Sequence, residues 1–492
     1  MRASGILMHI TSLPGPYGVG TMGKEAYQFI DFLHKAGQRY WQVLPLTPTG
    51  YGDSPYQSCS TYAGNHYLID LDTLVEEGLL LPEEIAACNW GDDPHRVDFG
   101  LLFQNRMGLL RKAFARYRDT DEAFAKFRAR NDSWLPEYVY YMAMKEHLGG
   151  KPWYEWPDEL KHRETNAFNE SRRELAHEIP FHCFVQFLFH RQWNALREYA
   201  HSKGISIIGD VPIYVPYDSV DVWANPHLFC LDETLTPTAV AGCPPDGFNE
   251  DGQLWGNPLY RWDVHKKDGY KWWLQRLGGA VARYDMLRID HFRGFADFYA
   301  VPFGAENARS GVWEPGPGLD FLRAVQKAFP ETPMIAEDLG FLTPAVRKLR
   351  EDSGYPGMKV LEFAFDADSN NEYLPHTYRA NTVCYTGTHD NMPLKQWFRE
   401  ADEKAVDFAL DYMGQPENPV WGMIRLCMAS VSDLAVVQMQ DYLELGGEAR
   451  MNFPGTCSGN NWVWRASPHF ASDALAKKIS KLTQTYGRSD AS

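Results

Sequence analysis

The 492-residue chain has no C-x-x-C pair; its eight cysteines, Cys59, Cys88, Cys183, Cys230, Cys243, Cys384, Cys427 and Cys457, are scattered singly. That pattern is too sparse for a secreted disulfide scaffold and wrong for a zinc site, and it fits a reducing, cytoplasmic setting. Long apolar runs are missing too. No stretch approaches the roughly 18 to 20 apolar residues that a membrane-spanning helix needs, and no extended apolar segment follows Arg2, so a chain that is neither membrane-bound nor exported is expected. Positive charge is in deficit: 48 Lys and Arg face 64 Asp and Glu, a net charge of −16. Such a surface repels nucleic acid and anionic lipid. Internal repeats and low-complexity tracts are also absent. The last dozen residues read as a frayed tail.

What the chain does have is apolar and aromatic mass. Apolar residues make up 44% of it and aromatics 14%, with 16 Trp and 26 Tyr. That is enough for a large core, and rings not used there suit stacking on the flat faces of sugars. Short apolar, β-branched or aromatic runs recur at 5–10, 40–44, 205–209, 286–289, 334–336, 358–363, 382–385 and 434–437. These eight runs predict strands. Helical periodicity lies between several of them, at 24–35, 184–201, 318–328 and 344–351, so strands and helices alternate as a parallel sheet requires. Eight β/α units predict an α/β fold of (β/α)₈ TIM-barrel type. Such barrels take about 250 residues, so about half of this chain must be insertion.

The spacing locates the insertions within one catalytic domain, 1–492. Residues 65–200 are strand-poor and carry helical patterns at 103–127 and 134–147, which predicts a helical subdomain. Residues 211–284 hold Pro244-Pro-Asp-Gly-Phe248 and Trp255-Gly-Asn-Pro258. Their Gly and Pro content predicts a long shaped loop rather than another sheet layer, with an active-site lid near 244–256.

Two motif-like stretches fail on context. Gly18-Val-Gly-Thr-Met-Gly-Lys24 satisfies G-x-G-x-x-G, but the nearest strand ends well upstream, Pro14-Gly-Pro16 intervenes, and Glu25 stands where a P-loop needs Ser or Thr. The histidines of His177-Glu-Ile-Pro-Phe-His182 are five apart rather than four, with Pro180 between them, so no metal site follows.

The informative feature is acidic. Four predicted strands run into a carboxylate: Gly209-Asp210, Ile289-Asp290, Ala336-Glu337-Asp338 and, past Tyr385, Thr388-His389-Asp390. An isolated Asp after a strand is commonly a helix cap or turn former. Four at strand ends would meet on the C-terminal face of a barrel, where active sites form. Arg288 lies two residues before Asp290 and so shares its face of the strand. A guanidinium there favours a charged carboxylate, as a nucleophile requires, although a structural ion pair would look the same. With a second carboxyl kept protonated, the pair meets the needs of retaining glycoside chemistry. Glu337, after Pro-Met-Ile-Ala, suits that second part, but these residues alone leave the division of roles open. His389-Asp390-Asn391 offers a donor, an acceptor and an amide to sugar hydroxyls, or to water.

Seven segments together resemble one family: Thr11-Ser-Leu-Pro-Gly-Pro-Tyr-Gly18, Gly50-Tyr-Gly-Asp-Ser-Pro-Tyr-Gln-Ser58, Gly209-Asp-Val-Pro-Ile213, Trp255-Gly-Asn-Pro-Leu-Tyr260, Arg288-Ile-Asp-His-Phe-Arg-Gly294, Ile335-Ala-Glu-Asp-Leu-Gly340 and Gly387-Thr-His-Asp-Asn391. In this order they resemble the amylomaltases, 4-α-glucanotransferases of glycoside hydrolase family 77 in the α-amylase superfamily. The resemblance implies Asp290 as nucleophile, Glu337 as acid/base and Asp390 as transition-state stabiliser. It also implies sugar contacts from Ser54, Tyr56, Asp210, Asp246, Gln253, Trp255, Arg288, Asp338, His389 and Asn461, with Asn460 the alternative to Asn461. The segment 244–252 would be a mobile cover over the acceptor site, with Gly247 where the family carries a bulkier residue.

The expected activity is transfer of α-1,4-glucan segments, from maltooligosaccharides or amylose, to glucose or another glucan. No cofactor, metal, nucleic acid or membrane partner is expected, and the chain is expected as a monomer or homodimer. An amylase-type hydrolase using the same residues and an inactive glucan-binding barrel are the alternatives. A metal-dependent barrel hydrolase is a third, without ligand spacing at the strand ends to support it.

Overall fold

The computed structural model describes residues 2–489 apart from 119–121, 246–249, 341 and 367–368. Eight parallel strands close a barrel. In chain order the described strands are β1 (Ala3–Leu7), β2 (Tyr40–Gln42), β3 (Ser206–Val211), β4 (Ala239–Cys243), β5 (Gln253–Pro258), β6 (Met286–Ile289), β7 (Asp297–Pro302), β8 (Val312–Pro315), β9 (Met334–Ala336), β10 (Gly357–Val360), β11 (Thr382–Tyr385) and β12 (Leu434–Gln438). The barrel runs β1-β12-β11-β10-β9-β6-β3-β2 and returns to β1. Its strands are the eight expected, with ends shifted by no more than three residues. Val-Cys-Tyr of β11 and Leu-Ala-Val-Val of β12 are buried throughout, as continuous apolar runs in a sheet covered by helices should be.

The helices begin and end on local signals. Pro344–Ser353 starts on Thr343, whose hydroxyl accepts from the Val346 amide, has Pro344 in its first turn, and stops at Gly354 with φ +71°. Lys24–Lys35 buries Ala26, Phe29, Ile30, Phe32 and Leu33, one apolar face. Gly209 precedes Asp210 because a Cβ there would lie 2.2 Å from the Tyr284 ring. Residues 65–200 hold the helices Phe99–Arg116, Glu122–Arg130, Leu135–His147 and Ile179–Ser202, and the last of these packs on both Leu135–His147 and Lys24–Lys35. Pro180 does not interrupt that helix but lies in its first turn, where its missing N–H costs nothing.

Two expectations are overturned. The block 211–284 is not a loop without a sheet layer: β4 and β5 form an antiparallel hairpin and join β7 and β8 in a four-stranded sheet, β5-β4-β7-β8. Its strands carry Gly, Pro and half-exposed polar residues, so the period-two signal is weak. Nor are residues 481–489 frayed, the described part of the expected tail. The helix Asp473–Thr485 packs on Lys24–Lys35, and beyond it Arg488 is fully buried, donating to the carbonyls of Ala3 (2.9 Å), Met428 (2.7 Å), Ser430 (2.9 Å) and Ser432 (3.0 Å).

Candidate active site

The C-terminal ends of β3 and β6 place the first charges. Asp210 and Arg288 are register partners on these adjacent strands, so both side chains enter the barrel together. Arg288 Nη1 donates to Asp210 Oδ1 (2.8 Å), Asp210 Oδ2 (2.7 Å) and Asp290 Oδ1 (2.9 Å). Asp210 is buried and also accepts from the Tyr56 hydroxyl at 2.8 Å. Burial pushes Asp210 above the usual carboxylate range against the pull of Arg288. Two carboxylates facing one guanidinium keep Arg288 charged although it is buried.

Glu337 follows β9 and is held by two backbone amides. His291 N donates to its Oε2 at 2.7 Å and Leu339 N to its Oε1 at 2.9 Å. The first of these depends on His291 adopting the left-handed region, φ +50°, an uncommon backbone for a non-glycine residue that turns its amide onto the acid. Burial raises Glu337 to about 7, opposed by Arg288 and assisted by Asp290. The cleft therefore favours a protonated Glu337 near neutrality. His291 moves the other way: burial lowers it to about 4, so it is neutral there.

Asp390 lies in a turn after β11 tied by its own residues, Thr388 N and Oγ1 both donating to Asn391 Oδ1 at 2.8 and 2.9 Å. Asn452 Nδ2 donates to Asp390 Oδ1 at 2.6 Å, and Arg450 Nη2 to the Asp390 carbonyl at 2.9 Å. Beside it His389 stacks on Tyr56, centroids 5.1 Å apart, and Trp462 leans on both. Tyr56 thus lies within the fields of Asp210, Arg288, Asp290 and Asp390. Ser54 Oγ accepts from the Tyr56 amide at 3.2 Å. From the second sheet, β5 brings Trp255, whose ring lies edge-on to His291 at 4.8 Å and whose Nε1 donates to Gln253 Oε1 at 3.1 Å.

The structure therefore gathers Tyr56, Asp210, Arg288, Asp290, Glu337, His389 and Asp390, with Ser54, Gln253 and Trp255 at the rim. Two further expected contacts, Asp338 and Asn461, have protein partners. Asp338 is buried, with Oδ2 accepting from Arg350 (3.0 Å) and Oδ1 from the Met358 amide (2.7 Å). Asn461 holds the Phe453 amide (3.0 Å) and the Thr456 carbonyl (3.0 Å), while Asn460 takes Arg96. Asn461 thus shapes the loop that delivers Asn452. Asp246 lies outside the described residues. The sequence reading missed Asn452, Arg450 and the amide of His291. The first two sit in an irregular segment after β12 that carries no periodic signal, and the third depends on a backbone angle. Among the described residues no three His, Cys, Asp or Glu are grouped as metal ligands, and no helix is long and apolar enough to cross a membrane.

The family model described as 4-alpha-glucanotransferase matches residues 8–471. The chain is 50% identical over 482 residues to the 4-alpha-glucanotransferase of Thermus thermophilus, covering 95% of each chain. It is 45% identical over 488 residues to that of Clostridium butyricum, covering 98% of this chain and 100% of the other. Its structure resembles that of the amylomaltase from Streptococcus agalactiae in complex with acarbose, with a TM-score of 0.97 at 41% identity over the full length of both. Acids gathered at the mouth of a barrel and a match along nearly the whole sequence lead to one assignment: this chain belongs to the 4-α-glucanotransferase family, glycoside hydrolase family 77.

Proposed function

We propose that this 4-α-glucanotransferase cleaves an α-1,4-glucan by double displacement, with Asp290 as nucleophile and Glu337 as acid and then base. Arg288 holds Asp290 Oδ1, which leaves Oδ2 to attack the anomeric carbon. As the C1–O4 bond breaks, Glu337 passes its proton to the leaving oxygen, and a glycosyl ester forms on Asp290. The ionised Glu337 then takes the proton of the acceptor's 4-hydroxyl, that oxygen attacks C1, and Asp290 is released. Asp390, anchored through Oδ1 by Asn452, offers its other oxygen to hydroxyls of the distorted sugar, where contacts tighten as positive charge develops. Trp255, Gln253, Tyr56, Ser54 and His389 would frame the sugar rings, with Asp246 on the cover. The acceptor is glucose or another glucan, in a cytoplasmic protein acting as a monomer or homodimer.

The observation that carries this reading is the unequal environment of two adjacent acids, Asp290 on a guanidinium and Glu337 buried and raised to about 7. Maltotriose tests the reaction: longer maltooligosaccharides together with glucose are expected, and maltose with glucose alone would mean hydrolysis. An Asp290→Ala variant should lose about 10⁴-fold or more of the transfer rate, since the covalent step disappears. Ordinary disproportionation by that variant would refute the assignment.

A further inference from the structure

Just past β10, in the turn Leu361–Phe363, the barrel mouth carries a fifth carboxyl that the double displacement does not use. Glu362 interrupts an apolar run, Val360-Leu361-Glu362-Phe363, and its Oε1 is buried without a hydrogen-bond partner among the described residues. It faces the Asp390 turn. A Cβ placed on Gly387 would lie 2.6 Å from Glu362 Oε1 and 3.0 Å from Gln438 Nε2, so these two side chains wall the start of the turn and a side chain there would have to displace them. The Met392 amide, at the end of the turn, hydrogen-bonds to Glu362, and Gln438 Nε2 donates to the Met392 carbonyl at 3.3 Å.

We propose that Glu362 is a positioning residue for glucan transfer: by bracing Gly387 and Met392 it fixes the turn that presents Asp390 to the sugar. The inference rests on the role given to Asp390 above. Asp390 is then held from two sides. Asn452 and Arg450 grip its carboxylate and carbonyl, while Glu362 and Gln438 clamp the ends of its turn.

Chemistry explains why a carboxyl can do this. The charged groups facing Glu362 are Asp441, in the helix after β12, and Arg450. Burial, then the charge of Asp441, pushes Glu362 well above the usual carboxylate range, and Arg450 opposes this only in part. Asp441 is itself raised to about 7 by burial, while accepting from Thr386 Oγ1 (2.6 Å) and the Leu394 amide (2.7 Å). A neutral Glu362 fills its place without competing for Arg450. An ionised one would draw the guanidinium away from the Asp390 carbonyl and loosen the turn.

The test compares the full-length protein with Asp390→Ala, Glu362→Ala, Glu362→Asp and Glu362→Gln on maltotriose, with an infrared difference spectrum of parent against Glu362→Gln at pH 7. Glu362→Ala should lower kcat roughly 10- to 100-fold with KM retained, because Asp390 acts in the transition state and a displacement of about 1 Å is that costly. Glu362→Gln should restore kcat, and the spectrum should contain a protonated-carboxyl band. Parental kcat in Glu362→Ala, a loss confined to KM, no rescue by Gln, or a carboxylate band in its place would each overturn the proposal. If Glu362→Ala does not fold, Glu362→Asp decides: one methylene shorter, it should lose kcat, and parental kcat would refute the brace. If Asp390→Ala keeps parental activity, the role of Asp390 itself fails. An inactive Asp390→Ala beside a fully active Glu362→Ala removes the Glu362 inference alone.

Discussion

Arg288 and Glu337 show how single side chains divide the chemistry. Arg288 spends one nitrogen on two carboxylates, so the charge that holds Asp210 also orients Asp290. Glu337 receives two backbone amides, which favour its charged form, and burial still outweighs them. The consequence is a pH dependence with a definite sign. Glu337 must enter the first step protonated, so kcat/KM for maltotriose should fall about tenfold per pH unit above about 7. A profile flat to pH 9 would remove Glu337 as the acid. The sequence placed both residues at strand ends, and the spacing of Arg288 and Asp290 already implied a shared face. It could not say which acid stays protonated, because desolvation depends on everything packed around the carboxyl, including a histidine amide turned by a left-handed backbone.

Strands and helices differ in how openly they announce themselves. The barrel strands are buried on both faces and read as continuous apolar runs, which is why all eight were recognisable. The second sheet was not. In β5, Gln-Leu-Trp-Gly-Asn-Pro mixes exposed and buried positions with two breakers, and all of β8 is exposed, so pairing with neighbours rather than pattern defines them. This sheet matters because β5 carries Trp255 and Gln253. The C-terminal segment was misread for a related reason: Arg488 looks like a solvated tail residue until the carbonyls of four separate residues converge on it. It ties the end of the chain to β1 and to the segment before β12, the seam where the barrel closes. Arg488→Ala should therefore cost roughly 3 kcal/mol by leaving those acceptors unsatisfied, read as a lower urea midpoint. The kcat at 25 °C should be unchanged, since no catalytic group touches Arg488.

Across the whole fold, buried ionisable groups set the response to acid. His9, His66 and His190 are lowered to about 3, and His265 and His291 to about 4, each chiefly by burial. Their folded values lie below the unfolded one, so each contributes stability above about 6.5 that is lost as pH falls toward 3 to 4, at up to about 1.4 kcal/mol per pH unit for each. Glu337 and Asp441 act oppositely. Raised to about 7, they contribute stability below about 4.5 that is lost as pH rises through 7. Between about 4.5 and 6.5 the two sets oppose one another. Below 4.5 the carboxyls no longer change and the histidines act alone, joined by Glu84, Glu146 and Glu372, whose ion pairs hold them near 2. Denaturant midpoints should fall as pH drops from 6.5, because five histidines outweigh two carboxyls, and should fall more steeply per pH unit below 4.5. A midpoint constant down to pH 3 would contradict the burial of these histidines.

From residues alone came the eight barrel strands, the large insertions between them, the acids at the strand ends and, through seven motif segments, the family. These are local properties, written in the periodicity of apolar residues and in short runs that must meet a sugar. Folding in three dimensions decided the rest: a second sheet beside the barrel, an arginine sealing its seam, Asn452 on Asp390, and Asp338 paired with Arg350. Each of these joins residues distant in the chain or depends on one backbone angle, and the electrostatics of a buried carboxyl follow from all such contacts together.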